Sequence, residues 1–262
     1  MAETRKPTRE LSIDEIITMA FGLYSERFTQ YLIPFLIAGA VTGILTTAIS
    51  TVIIIPVALQ PGATQQELFA WLYSYLAATL ALASIAGIVG WIISEITQGI
   101  PVKYASDTLE KGQASLSASF NFTRRKLLSL LAVSVITGVL IIGGLIALVI
   151  PGIILAAIFS LVVPAVIIEN KGVLPSLSRS RLLVSHRWLK TFGLLLLLYL
   201  IIAIVSVLVS VISLPFGAAA TIISSILAAF IQPILPIALT LYYYSMIART
   251  LPQELSLQAQ TS

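Results

Sequence analysis

A chain of 262 residues, 58% hydrophobic and only 10% charged, cannot cover itself in water, since a soluble domain carries roughly 25% charged residues. Its mean hydropathy of +1.03 excludes an ordinary soluble domain and points to a polytopic membrane protein. Cys is absent and the net charge is +4, so disulfide, thiolate and Cys-linked lipid chemistry is excluded, and the placement of the charges carries more information than their sum.

Residues 1–30 are polar and read as a cytoplasmic segment without a signal-peptide core. Ser12 and Glu15 fit a capping box, and Ile13, Ile16, Ile17, Ala20 and Leu23 recur at helical spacing, so an amphipathic helix is expected here. A transmembrane domain is expected over 31–248, with a cytoplasmic tail at 249–262. A bilayer crossing needs about 20 helical residues. Apolar runs of that order fall at about 31–55, 68–96, 127–150, 152–170, 192–213 and 217–247. The third and fourth runs meet at Pro151-Gly152, a turn dipeptide that predicts a hairpin. Pro34, Pro164, Pro233 and Pro236 lie inside runs and predict kinks or helix ends.

The expected fold class is therefore all-α: an integral membrane bundle of six transmembrane helices in three hairpins, each preceded by a cytoplasmic amphipathic interfacial helix. The second and third of these segments open with "SLSAS" at 115–119 and "SLSRS" at 176–180. The match fits either a threefold repeat or coincidence.

Orientation follows from the cations. All 15 Lys and Arg fall in the N-terminal segment, in 103–126, in 171–190 or at Arg249, and the loops at 56–67, 151–152 and 214–216 hold none. Both termini are expected in the cytoplasm. Trp71, Tyr73 and Tyr75 at one end of a span, and Trp91 with Tyr242, Tyr243 and Tyr244 at the other, fit interfacial aromatic belts.

The basic segments set topology, and their functional reading is contact with anionic lipid headgroups. The candidate headgroup contacts are Lys103, Arg124, Arg125, Lys126, Arg179, Arg181, His186, Arg187 and Lys190. Glu95 lies about 40 Å along the helix from Leu68, and Glu169 about 26 Å from Gly152, at about 1.5 Å per residue. Both acids are expected near the cytoplasmic interface, paired with neighbouring cations. Gln232 with Pro233 and Pro236 predicts either a broken helix lining a cavity or a kink with an internally satisfied amide. Gly39 with Gly43, and Ala83 with Gly87, form small-x-x-x-small faces for close packing, inside the bundle or in a dimer. No catalytic or metal-ligand cluster is legible, so neither enzymatic activity nor a cofactor is expected.

The stretch from Pro151-Gly152 through Pro164-Ala165 and Glu169, then Ser178 to Trp188, resembles a polytopic prokaryotic family, the membrane domain of glycerophosphoryl diester phosphodiesterases. The segment 101–130, with "LEKGQASLSASFNFTRRKLLSLL", fits the same pattern. The resemblance implies a six-span protein of a prokaryotic cell membrane. The soluble phosphodiesterase domain, with its acidic ligands and paired His, has no counterpart here, so that activity is not implied. The leading expectation is a non-enzymatic protein that engages lipid headgroups or organises the membrane. The alternatives are a carrier or channel for a small neutral or lipid-like solute, and an accessory subunit. Expected partners are membrane lipids and a homo- or hetero-oligomer, with no nucleic acid.

Overall fold

The computed structural model describes residues 6–54 and 64–261, and every regular element among them is helical. The expected outer loop at 56–67 lies outside the described residues up to residue 63. The helices are α1 (Ile13–Glu26), α2 (Phe28–Ile54), α3 (Gln65–Lys111), α4 (Leu116–Ala147), α5 (Val149–Ile158), α6 (Val162–Ile168), α7 (Val173–Val184), α8 (Trp188–Ser213), α9 (Ala220–Ala228) and α10 (Ile234–Thr261).

Five segments are long and apolar enough to cross a bilayer: Phe28–Ile49, Gln65–Lys111, Leu116–Ala147, Val149–Ile168 and Val173–Gly217. The sixth expected run is interrupted. It comes as α9, nine residues long, then a turn over 229–233, then α10. Pro233 has no N–H to continue the helix, and the preceding residues tighten into short-range bonds such as Ala229 N–H to the Ile226 carbonyl at 3.2 Å.

Side-chain caps account for three helix starts. The Ser12–Glu15 capping box forms at α1 as expected. A second one, Thr64 with Glu67, opens α3. Ser115 caps α4 through the Ala118 N–H. Pro151-Gly152 is not the turn between the third and fourth runs. The chain reverses at Leu148, and the dipeptide sits in the first turn of α5, where a Pro is tolerated because the first N–H groups have no helical partner. The hairpin is tight because a Cβ at Gly144 would lie 3.0 Å from the Gly152 Cα. At the end of α8 the chain turns through Gly217, whose φ of 55 and ψ of −123 suit a residue without a Cβ.

The three interfacial segments turn out unlike one another. α1 buries Ile16, Ala20 and Leu23, packed with α10, so its apolar face meets protein. The second segment has no helix of its own; 116–126 is the first part of the long α4. α7 buries Ser176, Leu177, Ser180, Leu183 and Val184 and leaves Leu182 exposed. "SLSAS" starts at an N-cap, whereas "SLSRS" starts inside α7, so the two pentapeptides occupy different structural positions. The fourth run is also divided. α5 and α6 are separated by Phe159–Leu161, and Ser180 of α7 patches the break, donating to the Ile158 carbonyl at 2.6 Å and accepting from the Leu161 N–H at 3.2 Å.

Candidate functional site

At the end of the bundle that carries the cations, α10 ties the other elements together. Tyr242 shares a hydrogen bond with Thr191 of α8 at 2.7 Å. Tyr243 donates to Glu169, just past α6, at 2.6 Å. Tyr244 donates to Glu110 of α3 at 2.9 Å and lies 2.7 Å from the Ser106 hydroxyl. Ser245 accepts from the Leu11 N–H at 2.7 Å. Consecutive helix residues point about 100° apart, so this fan of contacts requires α10 to be surrounded. The aromatic-belt reading of these tyrosines is thereby corrected: Tyr242 and Tyr243 are 0% exposed and Tyr244 is 5% exposed. A hydroxyl inside the core must find a partner, and each of the three does.

Carboxylates absorb four of the nine residues read as headgroup contacts: Lys103, Arg179, Arg187 and Lys190. Glu169 holds Arg179 at 2.9 Å and Lys171 at 3.1 Å. Glu10 holds Lys190 at 2.6 Å, with Arg187 and Arg249 each at 3.5 Å. Lys190 also donates to the Leu11 carbonyl at 2.7 Å. Asp107 holds Lys103 at 3.0 Å and Lys111 at 2.7 Å, and Lys103 sits 4.9 Å above the Phe122 ring. Partial burial pushes the Glu10 carboxyl up, but Lys190, Arg187 and Arg249 together outweigh it and leave the group below its ordinary value. Glu15 is held down at about 2 by the Arg9 side chain and by Ser12.

Four of the expected contacts remain open: Arg124, Arg125, Arg181 and His186 are exposed and form no ion pair among the described residues. Lys126 reaches the Asn170 carbonyl at 3.5 Å. Of the two expected ion-pair acids, Glu169 is paired and Glu95 is not, among the described residues. Glu95 is 7% exposed beside Ser134 and Trp91, and Trp91 Nε1 donates to Ser134 Oγ at 3.1 Å. The small-residue faces also part ways. A Cβ at Gly39 would lie 2.6 Å from the Ser225 carbonyl oxygen of α9, and one at Gly43 3.0 Å from the Ile222 Cα, whereas Gly87, four residues past Ala83, has open space around it.

Away from the basic end, α2, α3, α8 and the α9–α10 break line a partly open cavity of about 620 Å³. Gln232 and Pro236 line it, on either side of the end of the turn over 229–233 that separates α9 from α10. Among the described residues, no Asp, Glu, Lys, Arg or His lines it. Its polar surface comes from Thr42 of α2, Ser94, Thr97 and Gln98 of α3, Tyr199, Ser206 and Ser210 of α8, Ser224 and Ser225 of α9, and Gln232. Several hydroxyl protons are already committed to helix carbonyls: Thr97 to Ile93 at 2.7 Å, Ser210 to Ser206 at 2.8 Å, Ser224 to Thr221 at 3.0 Å and Ser225 to Thr221 at 2.8 Å. These oxygens offer lone pairs to the cavity. Gln98 donates to Ser94 at 2.9 Å, which orients its amide. Sequence reading found Gln232 but not the rest. The available signal was spacing, because Ser94 with Gln98, and Ser206 with Ser210, sit four residues apart on one helix face.

No cluster of three or more metal-ligating side chains occurs among the described residues. No protein-family model, no curated protein and no solved structure matches the chain.

Proposed function

We propose that this protein is a six-span carrier or channel for a small, uncharged solute bearing several hydrogen-bond donors, a polyol or amide by chemistry. α9 and α10 together form the sixth crossing, and the basic end faces the cytoplasm, because cations concentrate on that side of multi-pass proteins. The observation that carries the reading is the uncharged, acceptor-rich cavity at the α9–α10 break. Interrupted membrane helices supply polar groups at mid-membrane depth, where substrates of transporters bind. A lining without ionisable carboxylates or cations gives a charged solute nothing to offset its desolvation. The test is flux in proteoliposomes with a panel of labelled polyols and small amides. Saturable flux is expected, and Gln232→Leu should lower it about tenfold, the worth of about one hydrogen bond near 1.4 kcal/mol. No flux for any member of the panel, with the protein folded, would overturn the reading.

A second reading, engagement of anionic headgroups, is favoured by the exposure of Arg124, Arg125 and Arg181, which form no ion pair among the described residues. It rests on fewer cations than the sequence offered, since Arg179, Lys190 and Lys103 are held by acids. Replacing Arg124 and Arg125 with Gln should weaken retention of anionic lipid by about 1 kcal/mol per residue, read by native mass spectrometry. Unchanged retention removes this reading.

A further inference from the structure

A second cavity of about 300 Å³ lies against the first and shares Gln98, Tyr199, Leu235 and Pro236 with it. Three helices agree on how the two are arranged. On α3, which runs toward the basic end, the larger cavity takes Gly90 to Gln98 and the smaller takes Gln98 and Val102. On α8, which runs the opposite way, the smaller takes Leu195 and Tyr199 and the larger takes Tyr199 to Ser210. On α10 the larger ends at Pro236 and the smaller continues to Leu239. The cavities are therefore stacked along the bundle, with the shared side chains at the level between them.

The smaller cavity has the same chemical character as the larger. Thr137, Ser160, Gln98 and Tyr199 supply its polar groups, and no charged residue lines it among the described residues. It also meets the other helix break in the bundle, because Phe159 and Ser160 lie between α5 and α6. Toward the basic end it stops at Leu239; one turn further on the same face of α10 is Tyr243, held by Glu169.

We infer that the two cavities are successive chambers of one path for the donor-bearing solute, divided by a partition of Gln98 and Tyr199, and that the smaller chamber is its second binding site. Both residues are suited to this task. Each carries a hydrogen-bonding group at the tip of a side chain that can change rotamer, so the partition can pass a polar solute while offering it a partner. Tyr243 with Glu169 closes the path at the basic end in the conformation seen here.

The inference rests on the carrier reading, but its test does not need the solute. The sequence contains no Cys, so a single introduced Cys is the only thiol. Ser206→Cys reports the larger chamber and Ser160→Cys the smaller, each titrated with a membrane-impermeant methanethiosulfonate that carries an uncharged polyhydroxyl group, added from the non-cytoplasmic side. Ser206→Cys should react readily and Ser160→Cys about tenfold more slowly. Adding Tyr199→Ala or Gln98→Ala should speed Ser160→Cys about tenfold and leave Ser206→Cys unchanged. Thr137→Cys reads the same chamber where Ser160→Cys impairs folding. If Ser206→Cys reacts and neither partition variant changes the reactivity of the smaller chamber, the two cavities are separate and the inference is lost. Absence of flux across the solute panel, by contrast, removes the carrier reading and leaves these labelling rates as they are.

Discussion

The two ends of this molecule solve the problem of polar groups in opposite ways. At the basic end, charged groups are paired and cross-tied: Glu169 with Arg179 and Tyr243, Glu10 with Lys190, Asp107 with Lys103. In the other half, uncharged hydroxyls donate to their own helix and leave lone pairs facing a cavity. The outer part of α3 stands largely clear of its neighbours there, with Phe69, Tyr73, Leu80 and Ile85 exposed. Ties between different helices fix relative positions, whereas bonds within one helix leave neighbours free to separate. The difference lies in what holds each end: the base is cross-tied between helices around α10, whereas the hydroxyls of the other half bond mainly within their own helices.

The contrast can be broken most strongly at Glu169. Its side chain is 22% exposed and that of Arg179 is 16% exposed, so removing the carboxylate takes away the acceptor that Tyr243, Arg179 and Lys171 share. Glu169→Ala should cost about 3 kcal/mol, the low end for breaking a buried pair, measured by thermal unfolding in detergent. Joint replacement of Glu169 and Arg179 should recover part of that loss. A single-mutant cost below about 0.5 kcal/mol, the ordinary surface value, would show that the base is not held there.

The next sharpening compares two glycines. Gly39→Ala must push α9 away, because the new Cβ meets backbone at 2.6 Å, and overpacking of this kind costs about 1–3 kcal/mol. Gly87→Ala meets nothing within 4 Å and should change stability by less than about 1 kcal/mol, in the stabilising direction if anything, since Ala favours a helix. Equal effects at the two sites would mean that α2 and α9 are not in contact.

The smallest expected effect is acid sensitivity at Glu10. Its carboxyl titrates below the ordinary 4.5 because Lys190, Arg187 and Arg249 favour the charged form over the opposing effect of burial. A lowered folded value means that the stabilisation is complete above the unfolded value and is lost as pH falls through the folded one. Glu10→Gln should lower stability at pH 7 by about 1 kcal/mol and flatten the melting temperature below the ordinary carboxylate range. A wild-type curve that Glu10→Gln leaves unaltered would show that the N-terminal tie contributes nothing.

The sequence by itself determined the helical class, the apolar segments and the confinement of every cation to a few segments, because each follows from composition and spacing within a short window. It also determined the start of α1, since the Ser12–Glu15 box is local chemistry. Only the tertiary structure decided which cations are free. Glu10 and Lys190 are 180 residues apart in the chain and 2.6 Å apart in space, and no local pattern pairs them. It likewise decided that Tyr242 to Tyr244 are core and not belt, because a tyrosine suits both settings and the surrounding helices choose between them. Pro151-Gly152 carried a turn signal, yet the chain reversed earlier, at Leu148, once Gly144 and Gly152 allowed the two helices to close. The cavity was visible in the sequence as Gln232 and a scatter of spaced serines. Its walls come from α2, α3, α8 and the break in the sixth apolar run, distant parts of the chain that only packing brings together.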